Sequence, residues 1–198
     1  MDSQFRNGLG DRSREKKVGR WVFGIAAFYC VSMFLVPFLM PEGSVPELSG
    51  RANTFDYYNE DSWGNQEHQE GSKIGHNQSV HGGTFAWSEL NPYYAFVYAF
   101  GDLNCHQKFE RSWAINGNQM PVCARDVGIF FGLALGGWWF SRKGLNRWTI
   151  RDTFLTLFPD DRITPLYTND RRLMAMFTIG ILFCLPVVLD GGIPAISD

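Results

Sequence analysis

Apolar residues in this chain gather mostly into uncharged runs rather than alternating with polar ones. The first run, residues 21–40 (WVFGIAAFYCVSMFLVPFLM), has no charged side chain. A hydrocarbon core of ~30 Å needs ~20 helical residues, so this run is long enough to span a bilayer. A cleaved signal peptide is the rival reading, because basic residues precede it. The run exceeds the ~7–15 residues of a signal core and shows no clear small-residue cleavage site, so a retained helix is expected. A second run, VGIFFGLALGGWWF, reaches spanning length when extended back to Val122, giving 122–140 with Arg125 and Asp126 at its mouth. A third, 173–189, sits at the short end of the range, and Pro186 is placed to kink its last turn. Residues 90–101 (LNPYYAFVYAFG) are too short to cross. Their tyrosines suit the headgroup level, so an outer interfacial helix is expected. Residues 145–158 mix Trp148, Ile150, Leu155 and Phe158 with Arg147 and Arg151, the pattern of an amphipathic helix on the inner surface, ended by Pro159. The pattern predicts an all-α membrane protein with three transmembrane helices and these two surface helices.

The basic residues orient it. Arg6, Arg12, Arg14, Lys16, Lys17 and Arg20 precede the first run, and Arg142, Lys143, Arg147, Arg151, Arg162, Arg171 and Arg172 lie between the second and third. Residues 41–121 hold only Arg51, Lys73, Lys108 and Arg111. Positive residues stay cytoplasmic, which puts 1–20 inside, 41–121 outside, 141–172 inside and the C-terminus outside. A crossing by 84–102 would place the basic 141–172 stretch outside, against the rule. The expected setting is the cell membrane, with the lipid bilayer as first partner.

Composition changes this picture little. A mean hydropathy of −0.17 would suit a soluble protein, but the polar stretch 41–83 dilutes the apolar runs. A net charge of −2 gives no basic field for nucleic acid. Four cysteines without zinc-finger spacing do not make a disulfide scaffold. Residues 41–83 show no apolar period and are expected to form a flexible extracytoplasmic loop. Within it, Asn77-Gln78-Ser79 is a glycosylation sequon, and His68, His76 and His81 read as solvated loop histidines rather than metal ligands. Gly128, Gly132 and Gly136 fall on one face of the second run, a stripe that admits a close helix neighbour: the first or third span, another copy of the chain, or a membrane partner. Cys30 and Cys184, inside spans, read as packing residues.

Several chemistries lose support. No span contains a histidine, so a bis-histidine haem in the bundle is disfavoured. The first and third runs carry no charge between their ends, whereas an ion pump or proton-coupled transporter needs ionisable groups at depth, so a transport role is poorly supported. No phosphate-binding loop, G-x-S-x-G or H-E-x-x-H is present.

The remaining chemistry lies in CHQKFERSWAINGNQMPVCARD, residues 105–126. Cys105-His106-Gln107, Arg111-Ser112, Pro121-Val122-Cys123-Ala124-Arg125 and Gly128-Ile129 resemble the signature of the DUF2085 family of small predicted membrane proteins. Pro186 and Leu189-Asp190-Gly191 resemble its later Pro…Asp-Gly element. The resemblance covers about 92–192 and implies a membrane domain, 84–192, without supplying an activity. The family commonly has a cysteine directly after the arginine, where this chain has Asp126; that removes a thiolate and offers a carboxylate. The family also continues into a further apolar segment, so 193–198 reads as a shortened tail.

Three readings of the cluster follow. Cys105 and Cys123 form a disulfide, permitted outside the cytoplasm and worth ~3 kcal/mol for a loop of this length, with Gly117 helping the chain double back. Alternatively Cys105, Cys123, His106 and Asp126 bind a transition metal such as zinc, although adjacent Cys105 and His106 side chains point apart. In the third, Cys105 or His106 is catalytic at the membrane surface, with Arg111 and Arg125 holding an anion such as a lipid phosphate. The bland role for these arginines is pairing with Asp102, Glu110, Asp126 or Asp190. The function classes are a structural or metal/redox-binding membrane protein, a membrane-surface enzyme acting on a phosphorylated or lipid substrate, and an interaction subunit using the glycine stripe.

Overall fold

The first uncharged run folds into a helix, α1, spanning Ser13–Leu39. At 1.5 Å per residue its 27 residues extend ~40 Å. Ala26, Tyr29, Met33, Val36 and Met40, spaced by three and four, are buried. Trp21, Ile25, Phe28, Val31 and Phe38 point away, each more than half exposed. A helix apolar on every face is suited to a core or to lipid, and this one leaves an apolar face exposed, as a membrane span does. Among the described residues α1 is the one helix long and apolar enough to cross a membrane. This computed structural model describes residues 12–50, 52–69, 74–147 and 149–197, with side chains as far as Leu185. The chain divides into two units, Trp21–Gly136 and Met1–Arg20 with Gly137–Asp198.

In the Trp21–Gly136 unit, α2 spans Pro92–Asn104. Asn91 caps it by accepting from the N–H groups of Tyr93 and Tyr94, and Pro92 fills the first helical position, where its missing N–H costs nothing. A helix therefore forms where one was expected at 90–101, shifted to Pro92–Asn104, and it buries Val97, Tyr98, Gly101 and Asp102 against the protein. A hairpin follows: β1, Ala114–Ile115, pairs antiparallel with β2, Asn118–Gln119. Asn116 and Gly117 turn it with φ of 53° and 70°, the left-handed conformation that a two-residue hairpin turn requires. The next helix, α3, spans Ala124–Lys143 rather than 122–140.

The described residues of 41–83 do not form the flexible loop predicted from their lack of period. Val45, Leu48 and Tyr57 sit in one core with Tyr29, Met33, Phe85, Tyr98, Met120 and Val122. A buried backbone outside helices and strands must satisfy its polar groups elsewhere, and here side chains do so. Asn118 Oδ1 accepts from Val45 N at 2.8 Å, Gln119 Oε1 from Leu48 N at 2.7 Å, and Asp102 Oδ2 from Tyr57 N at 3.0 Å. The loop histidines are likewise not simply solvated. His76 is buried and stacks on His81 with ring centroids 3.9 Å apart, and His68 packs tilted against Trp63 with centroids 4.3 Å apart.

In the other unit, Arg12 closes the C-terminus of α3. Its guanidinium donates to the carbonyls of Gly144, at 3.1 and 2.9 Å, and Arg142, at 2.6 Å, which have no intrahelical partner. The predicted amphipathic helix 145–158 is not continuous. Thr156 Oγ1 accepts from Leu145 N and Thr153 Oγ1 from Arg147 N, both at 2.9 Å, folding 145–147 back instead of winding them in. Thr149 then caps a short helix, α4, Ile150–Leu155. Pro159 opens the next helix, α5 (Asp160–Thr168), rather than ending the previous one. The last helix, α6, spans Arg172–Ser197 and runs through most of the expected 193–198 tail.

Candidate functional site

The cysteine site is built where α2 ends. Cys105 closes that helix, its N–H donating to Gly101 O at 2.8 Å. The chain reverses at Gln107, whose φ is +48°. Gln107 is fully buried, and its Nε2 donates to Pro121 O at 2.8 Å. Gln119 Nε2 donates in turn to Gln107 O at 2.6 Å. These two side-chain amides tie the turn after Cys105 to the strand leading into Cys123. Gly101 permits the approach: a Cβ there would collide with the Pro121 carbonyl, whose carbon would lie 2.8 Å away.

The result places Cys105 Sγ, Cys123 Sγ and a carboxylate oxygen of Asp126 all within 4.8 Å of one another. Cys105 is buried, Cys123 and Asp126 half-buried, and all four cysteines of the chain are unbridged. Cys123 Sγ donates to Asp126 Oδ2 at 2.8 Å, since a spacing of three puts both on one side of the first turn of α3. Two main-chain N–H groups point at Cys105 Sγ: Cys123 N at 3.1 Å and Gln107 N at 3.4 Å. Such donors favour a sulfur carrying negative charge. The neighbouring Cys123 thiol and burial push the Cys105 thiol up, while the hydrogen bond from Cys105 brings Cys123, just ahead of α3, down to about 7. The two thiols therefore titrate together, and the pair rather than either cysteine is the titrating unit. Two soft sulfurs and one hard oxygen form a donor set suited to a borderline ion such as zinc.

Other expected residues lie outside this cluster. His106 is exposed, on the opposite side of the chain from its buried neighbours Cys105 and Gln107. Arg111 and Arg125 are exposed, and among the described residues neither makes an ion pair. Their expected partners are engaged elsewhere: Glu110 with Lys108 at 3.0 Å, Asp126 with Cys123, and Asp102 with Tyr57 N and Trp87 Nε1 at 2.9 Å. The side chain of Asp190 lies outside the described residues. Gly128, Gly132 and Gly136 are exposed, and an added Cβ at any of them would have nothing within 4 Å. Asn77 Oδ1 accepts from Ser79 N and Oγ in a local turn. Sequence reasoning missed the supports Gly101, Gln107 and Gln119. The one signal available was Gln107 itself, the third residue of the Cys-His-Gln motif.

No curated protein and no solved structure matches the chain. Residues 105–197 match the model of a family described as predicted membrane protein (DUF2085), the family that the cysteine stretch resembles, and the match starts at Cys105 itself rather than near residue 92.

Proposed function

We propose that this is a membrane protein whose Cys105, Cys123 and Asp126 bind a thiophilic divalent ion, zinc by preference, at the extracytoplasmic surface. The carrying observation is the convergence of two sulfurs and a carboxylate within 4.8 Å. A zinc site with three protein ligands keeps a fourth position for water or an incoming ligand, so the site suits binding or handing over an ion, or activating a water. The membrane setting rests on more than α1. On α3, Ile129, Phe131, Leu133, Leu135, Trp138 and Trp139 are exposed; on α6, Leu173, Met174, Phe177, Ile181, Leu182 and Phe183 are. Apolar surface of this extent supports α3 and α6 as second and third spans. The basic flanks then favour a cytoplasmic N-terminus and an outer cluster.

The test uses protein purified in mild detergent without added metal or reductant. Elemental analysis and mass-spectrometric thiol counting on one sample should give about one metal equivalent and free Cys105 and Cys123, with the metal lost in Cys105→Ser. The proximity of the sulfurs also favours a second reading, a disulfide staple. Linked cysteines without metal would establish that staple and overturn the metal site.

A further inference from the structure

An open cavity of about 550 Å³ lies in the Trp21–Gly136 unit, and no residue of the cysteine cluster lines it. That volume is in the range of small-molecule sites. Glu47, His81, Phe109, Ser112, Trp113 and Gln119 contribute its chemistry. Its wall carries a carboxylate, an imidazole and two large aromatic rings, and among the described residues no lysine or arginine.

The Glu47 main chain is pinned to its neighbours, and its carboxylate is oriented by His81. Glu47 N donates to His81 O at 3.2 Å, and Glu47 O accepts from Gln78 Nε2 at 2.8 Å. His81 Nδ1 lies 3.0 Å from Glu47 Oε2. The His81 ring is backed by the buried His76, stacked at 3.9 Å and 16° between planes. Glu47 Oε1 carries no hydrogen bond among the described residues, and the side chain is 55% exposed, so an acceptor remains for a ligand. Trp113, half-exposed, lies 6.3 Å from Phe34 of α1. Phe34 is little more than a turn from the C-terminal end of α1, which in the membrane orientation proposed above is the depth where tryptophans meet lipid headgroups.

We infer that this cavity binds an organic ammonium group. Glu47 supplies the counter-charge and an acceptor, and the Trp113 and Phe109 rings supply the aromatic faces that attract a cation. An anion would meet the Glu47 carboxylate and, among the described residues, no lysine or arginine, the one imidazole of the wall being already engaged with Glu47. A hard metal ion would find one carboxylate where several oxygens are needed. The ammonium can arrive on a soluble amine or on a lipid headgroup, the two carrying the same chemistry.

The experiment titrates the full chain in mild detergent with ethanolamine and tetramethylammonium, using acetate and tert-butanol as anionic and neutral controls. A second arm measures retention of phosphatidylethanolamine against phosphatidylglycerol by native mass spectrometry from mixed nanodiscs. Saturable amine binding, weakened at least tenfold in Glu47→Gln and in Trp113→Leu, supports the site with a soluble ligand. Phosphatidylethanolamine retention lost in those variants, with no binding of the soluble amines, supports it with a lipid ligand. Equal binding of the controls, no preference in either arm, or binding unchanged in both variants overturns it. Metal content is measured alongside; because the cavity shares no residue with the cysteine cluster, either proposal can fail without the other.

Discussion

Replacing Gly101 by alanine tests whether the approach of α2 to the Pro121–Cys123 strand builds the cysteine site. In an unobstructed helix this change would stabilise by up to ~1 kcal/mol, because glycine is the poorer helix former. Here the new Cβ would run into the carbonyl of Pro121, with 2.8 Å to its carbon and 3.1 Å to Gln107 Nε2. A flexible side chain could yield, but this obstacle is main chain. It is held by Gln107 Nε2 and flanked by the fully buried Met120 and Val122. Overpacking costs ~1–3 kcal/mol, and a backbone obstacle belongs at the upper end, so a net loss of ~2 kcal/mol is expected. For a chain of this size that lowers the unfolding midpoint by ~4–8 °C. The assay is thermal unfolding in mild detergent with metal content measured on the same sample. Both should fall, because displacing Pro121 also moves Cys123 N away from Cys105 Sγ. Gly132→Ala is the control, since nothing lies within 4 Å of its added Cβ. A Gly101→Ala protein as stable as its parent, with metal content intact, would refute the reasoning.

Other consequences are as direct. Burial holds the Asp102 carboxyl above the ordinary aspartate range, outweighing the hydrogen bonds from Trp87 and Tyr57. A raised folded value gives stability that is full below the ordinary value of ~3.9 and lost as pH rises through the folded one. Asp102→Asn keeps an acceptor oxygen and removes the titration, so its unfolding midpoint should fall less between pH 4 and 8; an unchanged pH slope contradicts the assignment. Gln119→Ala leaves Leu48 N and Gln107 O without their side-chain partner, at ~1–3 kcal/mol. It should also speed alkylation of Cys105, and a rate equal to the parent's argues against the amide tie. His106→Ala, at an exposed position, should leave metal content unchanged, whereas Asp126→Ala should reduce it; the reverse order in elemental analysis would move the ligand set to His106.

The fold was legible where one period or one turn rule governs. The uncharged run before Pro41 becomes α1, and Asn116-Gly117 becomes a two-residue turn, because helix length and left-handed φ are local requirements. Residues 41–83 were opaque for the opposite reason. Val45, Leu48 and Tyr57 follow no spacing, and their backbone is satisfied by Asn118, Gln119 and Asp102 from far along the chain. The stretch 145–158 misled because its apolar pattern is helical, while Thr153 and Thr156 give the backbone an alternative hydrogen-bonding route.

The candidate site divides along the same line. Cys123 and Asp126 meet because three residues make one helical turn, and His106 leaves the cluster because neighbours in an extended segment face opposite ways; both could be read from spacing. That Cys105 joins them could not. It depends on Gln107 adopting a left-handed conformation, on two glutamine amides bridging chain reversals, and on the missing Cβ of Gly101. Asp126 stands where the resembled family commonly has cysteine, so the third donor is an oxygen on a helix turn already fixed by Cys123. A carboxylate there binds a borderline ion less softly than a third thiolate would. If the metal reading holds, Asp126→Cys should therefore tighten the site for zinc and slow release to a chelator. Release no slower than in the parent would mean that the third position contributes no ligand.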